Sequence, residues 1–442
     1  MVTQVSSNHR AWAVTCVLAA LSACSFLDRQ VLALLLPDLH RDLHISDMQF
    51  GVLAGPAFIL VYNCTLLPAA FLIDRWNRKR IICIGVFIWT TMTIGSAFAS
   101  TFQEMIILRA GLAFGEALLG PAAISLIGDL FLRLDRPLPT AVYIMGSVVG
   151  NTGSAMLSAG TLQLAVFLSR IAPHWVVFSP WRMTLIGVGL PGFLLGILLL
   201  IVGREPPRRL VRDEKYAASL LEHIRRRGAL YSGAFIGLGL LGTVSAIIAI
   251  WGPSYLMRNF NLSQVVAGYT LGGVSLVAGI AGTVALPTIF RDRFRERKTN
   301  QVIWIAAAGV LAIACTAFVG GFTDNLAICL ISFSVALFLL MGIGTLPTLF
   351  IQLYTPSNLR GRVSAALFFV VYMFSAGLAP VLVPLFANKL YHGQGALGQS
   401  IGTIAVVVGL GAAVSFLAIT RVLRAAEEEA TGTGRLSNAV AD

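Results

Sequence analysis

The chain has 442 residues, of which 57% are hydrophobic and 12% are charged, and its mean hydropathy is +0.82. The charged fraction is about half that of an ordinary soluble protein, so there is too little polar sequence to cover a soluble surface. A formal net charge of +12 would suit a nucleic-acid-binding protein, but the positions of the basic residues, described below, exclude that class.

Apolar stretches of about 20 residues, the length that crosses a bilayer as a helix, recur along the chain. They predict twelve membrane-spanning helices, near residues 11–37, 48–73, 80–100, 103–132, 138–168, 182–203, 229–257, 264–290, 301–321, 325–353, 361–388 and 398–423. A long charged loop separates the first six from the last six. We therefore expect an all-α membrane protein whose parts are an N-terminal six-helix bundle (1–203), a cytoplasmic linker (204–228), a C-terminal six-helix bundle (229–426) and a disordered cytoplasmic tail (427–442).

The lysines and arginines are distributed unequally between the two sides of the predicted membrane. With the N-terminus placed in the cytoplasm, 25 of the 32 lie on the cytoplasmic side, five lie on the opposite side and two lie within spans. Cytoplasmic loops of membrane proteins carry such an excess of basic residues. Both termini are therefore predicted to be cytoplasmic, and the positive charge is a topology signal rather than a surface for nucleic acid.

Four charged residues interrupt the apolar spans of the first half, namely Asp28, Arg29, Arg109 and Glu116. The second half has no comparable charge within a span. A charge in hydrocarbon costs at least ~2.5–3.5 kcal/mol on insertion scales, and such residues usually face a cavity and carry function. Given the helical rise of about 1.5 Å per residue, Asp28 and Arg109 are predicted at similar depth. Glu116 lies two turns deeper, on the same face as Arg109.

The cysteines and histidines give no sign of a metal site or of a catalytic centre. Six cysteines lie in apolar segments without a Cys-x-x-Cys spacing, which is typical of small buried side chains. The histidines lie in loops or near the ends of spans. A membrane-embedded lipid-modifying enzyme would need a His, Asp or Ser constellation at a membrane face, so we expect a protein that is not an enzyme and that binds no cofactor.

The loop between spans 2 and 3 reads AFLIDRWNRKR, residues 70–80. It resembles the loop motif of the major facilitator superfamily, Gly-x-x-x-Asp-Arg-x-Gly-Arg-Lys/Arg, although Ala70 and Asn77 replace the two glycines. An acidic side chain at this place can face the positive N-terminus of a helix in the other half. The resemblance implies a cytoplasmic gate, whose residues are Asp74, Arg75, Arg78 and Asp129, with Arg78 paired to Asp129. The alternative is that the basic loop only sets the topology.

Longer stretches resemble the spinster branch of that superfamily. They are FLDRQVLALLLPDL (26–39), LRAGLAFGEALLGPAAISLIGDLF (108–131), WRMTLIGVGLPG (181–192), REPPR (204–208) and WGPSYLMR (251–258). Characterised relatives in this branch move lysophospholipids and sphingoid phosphates, and bacterial members are proton-coupled. The resemblance therefore implies a multi-pass protein of the bacterial inner membrane that moves an amphiphilic or organic anionic substrate together with protons.

The four charges suggest how such coupling would work. We predict that Asp28, Arg109 and Glu116 form a proton relay in which Arg109 moves between the two carboxylates or onto the substrate. Arg109 can hold a phosphate or carboxylate through two parallel hydrogen bonds. Arg29 points away from Asp28, because adjacent helical residues lie about 100° apart. The predicted substrate-binding residues are Arg109, Arg29, Glu116, Trp251, Tyr255 and Tyr372.

Other interpretations of the sequence stay open. A static buried salt bridge between spans 1 and 4 would also explain the charges. The same fold could carry a different cargo, either a small organic anion in symport or a hydrophobic drug in export. We expect the protein to work as a monomer by alternating access, with the lipid bilayer, protons and a small-molecule or lipid substrate as its partners.

Overall fold

The computed structural model describes residues 2–132, 134–171, 178–203, 205–207, 228–295, 299–344, 355, 360–393 and 395–439. Within these ranges the chain forms helices and no strands, which confirms the all-α prediction. The helices of the first half are α1 (Val2–Leu43), α2 (Asp47–Ala54), α3 (Pro56–Arg75), α4 (Arg78–Ser96), α5 (Phe102–Ala117), α6 (Leu119–Leu130), α7 (Pro137–Ile171) and α8 (Pro180–Val202).

The second half continues the same pattern of long helices. They are α9 (Gly228–Phe260), α10 (Gln264–Arg295), α11 (Thr299–Phe322), α12 (Leu326–Ile343), α13 (Arg360–Tyr372), a π-helical segment (Met373–Leu378), α14 (Ala379–Lys389) and α15 (Ala396–Ala439). Eleven helical stretches of the described chain are long and apolar enough to cross a membrane. The remaining predicted span corresponds to α4, which begins with three consecutive basic residues.

Prolines explain where two of the predicted spans are interrupted. Pro56 and Pro121 have no backbone N–H to donate to the carbonyl four residues earlier. The helix accordingly breaks at Gly55, between α2 and α3, and at Leu118, between α5 and α6. The second break follows Glu116 by two residues, so this carboxyl lies in the last turn of α5.

Glycines bring α1 and α7 into close contact. A Cβ atom added to Gly150 would lie 2.6 Å from the Cα atom and carbonyl oxygen of Ala23, and one added to Gly146 would meet the backbone of Ala19 more closely still. Small residues of this kind let membrane helices approach at the backbone. The close approach also brings together polar side chains, since Ser22 and Ser147 share a hydrogen bond of 2.6 Å.

The helices group into two compact units. The first comprises Met1–Val211, Ile248–Val277 and Ala376–Leu397, and the second comprises Arg212–Ile247, Ala278–Ser375 and Gly398–Asp442. The first unit therefore contains, besides the first eight helices, α9 from Ile248 onward, α10 as far as Val277 and the whole of α14. The division into bundles at 203 and 229 stays a prediction.

Two further predictions concern the linker and the tail. Most of the linker 204–228 lies outside the described residues, apart from 205–207 and Gly228. The disorder of the tail 427–442 stays a prediction, although α15 runs to Ala439.

The contact between α1 and α7 leads to a stability prediction. We expect Gly146→Ala to lower the apparent melting temperature of the purified protein, because a Cβ atom would force two backbones apart at a cost of about 1–3 kcal/mol. Gly187→Ala is the matched control, since a Cβ atom on this glycine of α8 meets nothing within 4 Å. Equal melting temperatures for the two variants would contradict the packing argument.

Candidate functional site

The carboxylate of Glu116 is paired with Arg29 across helices α1 and α5. Arg29 Nε donates a hydrogen bond of 2.6 Å to Glu116 Oε2, and the Ser25 hydroxyl donates one of 2.8 Å to the same oxygen. The Glu116 side chain is completely buried, while 17% of the Arg29 side chain is exposed. Glu116 Oε1 is buried and makes no hydrogen bond to any described residue. One oxygen of this carboxylate is therefore satisfied and the other is not.

Three aromatic rings surround the guanidinium of Arg29. Its Cζ atom lies 4.9 Å from the ring centroid of Phe26, 4.8 Å from that of Phe58 and 4.9 Å from that of Tyr62. A cation within about 6 Å of an aromatic face is attracted by the ring quadrupole, most strongly where water is scarce. The three rings and the Glu116 carboxylate together hold the Arg29 guanidinium in largely apolar surroundings.

Arg109 is bound to the backbone of α1 rather than to a carboxylate. Its Nη1 atom donates a hydrogen bond of 3.0 Å to the carbonyl of Asp28, and its Nη2 atom donates one to the carbonyl of Arg29. Only 4% of Arg109 is exposed, and its Nε atom has no hydrogen-bond partner among the described residues. Arg109 thus fixes α5 against α1 at Asp28 and Arg29.

Asp28 is buried against α4. It is 1% exposed, and its side chain faces Trp89 and Thr93 of α4. Neither carboxyl oxygen comes within hydrogen-bonding geometry of a described residue, and the Trp89 Nε1 atom is likewise without an acceptor there. Arg109 and Glu116 are close enough to act on Asp28 electrostatically. We call Asp28, Arg29, Arg109 and Glu116 the charge cluster.

The structure brings all four predicted charges together but pairs them in a different way from the proposed relay. Arg29, the member with no clear partner in the sequence, holds Glu116. Arg109, predicted to move between the carboxylates, holds two carbonyls. Two features of the site were missed, namely the Ser25 hydroxyl and the aromatic rings. The spacing of Phe58 and Tyr62, four residues apart on one helix, was the signal that was available.

Arg78, the first residue of α4, joins three segments of the chain. Its Nη1 atom donates to Asp129 Oδ2 at 2.5 Å and to the Ser125 carbonyl at 3.0 Å. Its Nε atom donates to Glu205 Oε1 at 2.7 Å. The other oxygen of Glu205 accepts a hydrogen bond of 3.0 Å from the backbone N–H of Lys79. We call Arg78, Asp129 and Glu205 the Arg78 network.

The predicted pair of Arg78 and Asp129 is present, but its role in gating stays a prediction. Glu205 was missed, although it is the acidic residue of REPPR directly after span 6. Arg75 is exposed. Asp74 lies in α3, but its side chain falls outside the described part of the chain, as do those of Arg360 to Arg362.

The aromatic residues predicted to bind substrate in the second half are mostly buried. Trp251 is 0% exposed, donates a hydrogen bond of 3.1 Å to the Pro380 carbonyl and packs edge-to-face on Phe50. Tyr255 is also buried and packs on Phe260. Tyr372 is half-buried beside the π-helical segment. Their roles in substrate binding stay predictions.

A comparison with protein families decides the class of the protein. The family model of the Major Facilitator Superfamily matches residues 18–380, which is most of the chain. The chain belongs to the Major Facilitator Superfamily. Membership in this superfamily makes it a multi-pass membrane transporter and points away from a lipid-modifying enzyme.

Curated members of the superfamily show which relatives the chain resembles. It is 26% identical over 424 residues to protein spinster homolog 1 of Xenopus laevis, which covers 88% of this chain and 75% of that protein. It is 27% identical over 435 residues to an MFS-type efflux pump of Mycolicibacterium smegmatis, which covers 96% of both. The resemblance to the spinster branch is thereby confirmed.

Solved structures of the superfamily share the fold. One is a crystal structure of a bacterial homologue of the human lysosomal transporter spinster in an inward-facing and unoccupied conformation. It superposes with a TM-score of 0.80 at 22% identity and covers 93% of this chain and 97% of that one. A D-xylose–proton symporter superposes with a TM-score of 0.71 at 17% identity and covers 91% of this chain and 96% of that one. At these identities the likeness concerns the fold alone.

The Arg78 network leads to a second stability prediction. We expect Glu205→Gln to lower the apparent melting temperature, because it removes the charge from a hydrogen bond worth about 1.5–3 kcal/mol to a buried guanidinium. Asp135→Asn is the control, since Asp135 is an exposed carboxylate at the same end of the helices. If both variants melt like the unmodified protein, Glu205 does not stabilise this end of the fold.

Proposed function

We propose that the protein is a secondary active transporter of the bacterial inner membrane that moves an amphiphilic anion, such as a lysophospholipid, by alternating access. Transport of the anion is coupled to proton binding at the charge cluster. The observation that carries the proposal is the pairing of a partly exposed Arg29 with a fully buried Glu116. This pair can be opened by an anionic ligand, whereas a static salt bridge sealed from solvent could not.

Arg29, rather than Arg109, is the residue that meets the anion. The two terminal nitrogens of Arg109 already donate to carbonyls of α1, and this side chain is almost entirely buried. Arg29 uses its Nε atom for Glu116 and retains exposed surface. A phosphate or carboxylate binds a guanidinium through two parallel hydrogen bonds. The Arg29 side chain can therefore turn from Glu116 to the anionic group of the substrate.

Proton binding follows from this exchange. When Arg29 turns to the substrate, the Glu116 carboxylate loses its ion-paired partner and keeps the Ser25 hydroxyl as its hydrogen-bond donor. An ionised carboxylate without a partner in an apolar interior is costly, so Glu116 takes a proton from water onto one of its oxygens. Asp28 is also buried, and its carboxyl oxygens are not within hydrogen-bonding geometry of any described residue, so it serves as the second proton carrier of the cluster.

The surroundings of Arg29 suit an amphiphile. Phe26, Phe58 and Tyr62 enclose the guanidinium, and α3 also lines an apolar groove of about 310 Å³. It is lined by Leu60, Val61, Cys64, Thr65, Pro68 and Phe114. A charged head beside Arg29 would leave an acyl chain next to apolar side chains, which is the arrangement that an amphiphile needs.

A second candidate is the export of hydrophobic drugs. It is favoured by the similarity to the efflux pump of Mycolicibacterium smegmatis, which extends over 96% of both chains. In that case the aromatic rings and the groove would bind the drug, and the charge cluster would still carry the protons. We expect a monomer in either case.

The first transport prediction concerns Glu116. In proteoliposomes loaded with a pH-sensitive dye, we expect Glu116→Gln to lower substrate-driven proton uptake at least about tenfold, because a neutral amide cannot exchange a proton. Glu104→Gln is the control, since this carboxylate in the first turn of α5 is exposed and accepts a hydrogen bond from Ser100 N. Full proton uptake by Glu116→Gln would exclude the relay.

The second transport prediction separates the two arginines. We expect Arg29→Gln to abolish the rise in melting temperature that lysophospholipids, fatty acids or small organic anions cause, because ligand binding stabilises only a protein that recognises the ligand. Arg109→Gln should instead lower the melting temperature without ligand and keep the rise. The reverse pattern would assign the anion to Arg109. A rise caused only by neutral hydrophobic drugs would favour export of such drugs.

A further inference from the structure

Two amide side chains lie next to the charge cluster, and the proposed function gives neither of them a part. Gln30 directly follows Arg29 in α1, and Asn151 lies near the middle of α7. Gln30 Nε2 donates a hydrogen bond of 3.3 Å to Asn151 Oδ1, and both side chains are half-buried. We call Gln30 and Asn151 the amide pair.

The hydrogen bond within the amide pair uses a small part of what the two amides offer. Each amide carries an oxygen that accepts hydrogen bonds and a nitrogen that donates two. Gln30 Oε1 and Asn151 Nδ2 make no hydrogen bond to a described residue, and they are not among the buried polar atoms that lack a partner. The pair therefore keeps one acceptor and one donor that a ligand can reach.

The packing of α1 on α7 does not require the amide pair. The two helices already touch at the backbone through Gly146 and Gly150, and the hydroxyls of Ser22 and Ser147 share a hydrogen bond of 2.6 Å. The bond within the amide pair is longer than this one. Polar side chains within a membrane span are costly, and they usually carry function. The reachable amide groups thus point to a ligand rather than to helix packing.

The amide pair lies on the same side of α1 as the guanidinium of Arg29. Phe26, Arg29 and Gln30 are half-buried, whereas the residues between them and directly beside them are buried. Gln30 follows Phe26 by four residues and so shares its helix face, and the Phe26 ring centroid lies 4.9 Å from Arg29 Cζ. The reachable side of α1 therefore presents a cation, an aromatic ring and an amide at neighbouring positions.

A hydroxyl group is the natural complement of the amide pair. A hydroxyl both donates and accepts hydrogen bonds, so it can donate to Gln30 Oε1 and accept from Asn151 Nδ2. An anionic group held by Arg29 places the adjoining atoms of the same molecule beside this pair. In a lysophospholipid the glycerol carbon next to the one that bears the phosphate carries a free hydroxyl. A fatty acid or a simple alkyl phosphate has no such group.

We propose that the amide pair is a second part of the substrate site and binds a hydroxyl group next to the anionic group of the amphiphile. The inference rests on the proposed function, which places the anion at Arg29. It narrows the substrate class from amphiphilic anions in general to those with a hydroxyl beside the charge. Gln30 and Asn151 then determine specificity, while Arg29 supplies the attraction for the anion.

The test compares two ligands that differ in one hydroxyl. The probes are a lysophosphatidic acid and its analogue in which hydrogen replaces the free glycerol hydroxyl, with the same acyl chain and the same phosphate. Dissociation constants are measured on the full-length purified protein. We expect the lysophosphatidic acid to bind about tenfold more tightly, because the analogue leaves the hydrogen-bonding groups of the amide pair without a partner.

Gln30→Met and Asn151→Leu should each remove this preference. We expect both variants to bind the lysophosphatidic acid about as weakly as the unmodified protein binds the analogue, and to bind the analogue as before. Ser147→Ala is the matched control, because it breaks the other hydrogen bond between α1 and α7. It should lower the apparent melting temperature and keep the tenfold preference.

The outcomes separate this inference from the proposed function. Equal affinities of the unmodified protein for the two ligands would overturn the inference and leave the proposed function in place, and this comparison needs no variant. An equal loss of both ligands in Gln30→Met and Asn151→Leu would also overturn it, since the amides would then only position Arg29. Binding of neither ligand to the unmodified protein would overturn the inference together with the proposed binding of an amphiphilic anion.

Discussion

The requirement that a buried charge must find a partner governs the first half of this protein. Hydrocarbon offers no water, so each charged or polar group must be satisfied by another part of the chain. Arg29 satisfies one oxygen of Glu116, Arg109 satisfies two backbone carbonyls, and Asp28 has no hydrogen-bonding partner among the described residues. This unequal satisfaction supports the proposal that the site exchanges partners.

The polar contacts of the chain differ in burial. The charge cluster lies deep in the bundle, where a change of partner is coupled to a proton. The Arg78 network is buried on the arginine side and joins α4, α6 and the segment after α8. The ion pair of Arg258 with Asp47 is partly exposed, so water can compete for its groups.

Glycine and proline residues help to position the helices that carry the charged side chains. Gly146 and Gly150 let α7 approach the backbone of α1 and so hold the helix that carries Asp28 and Arg29. Gly51 lets α2 approach the backbone of Pro380. Pro121 interrupts the helix just after Glu116. Close contact and local breaks thus position charged groups that the bilayer would otherwise exclude.

The sequence by itself determined the membrane class, nearly all of the spans, the superfamily motif and the four charges that form the cluster. These depend on composition and on spacing along one helix, which the chain carries locally. Only the tertiary structure decided that Arg29 holds Glu116, that Arg109 holds carbonyls, and that Glu205 completes the Arg78 network. Partners on different helices depend on helix rotation and side-chain reach, and neither is encoded in a short stretch of sequence.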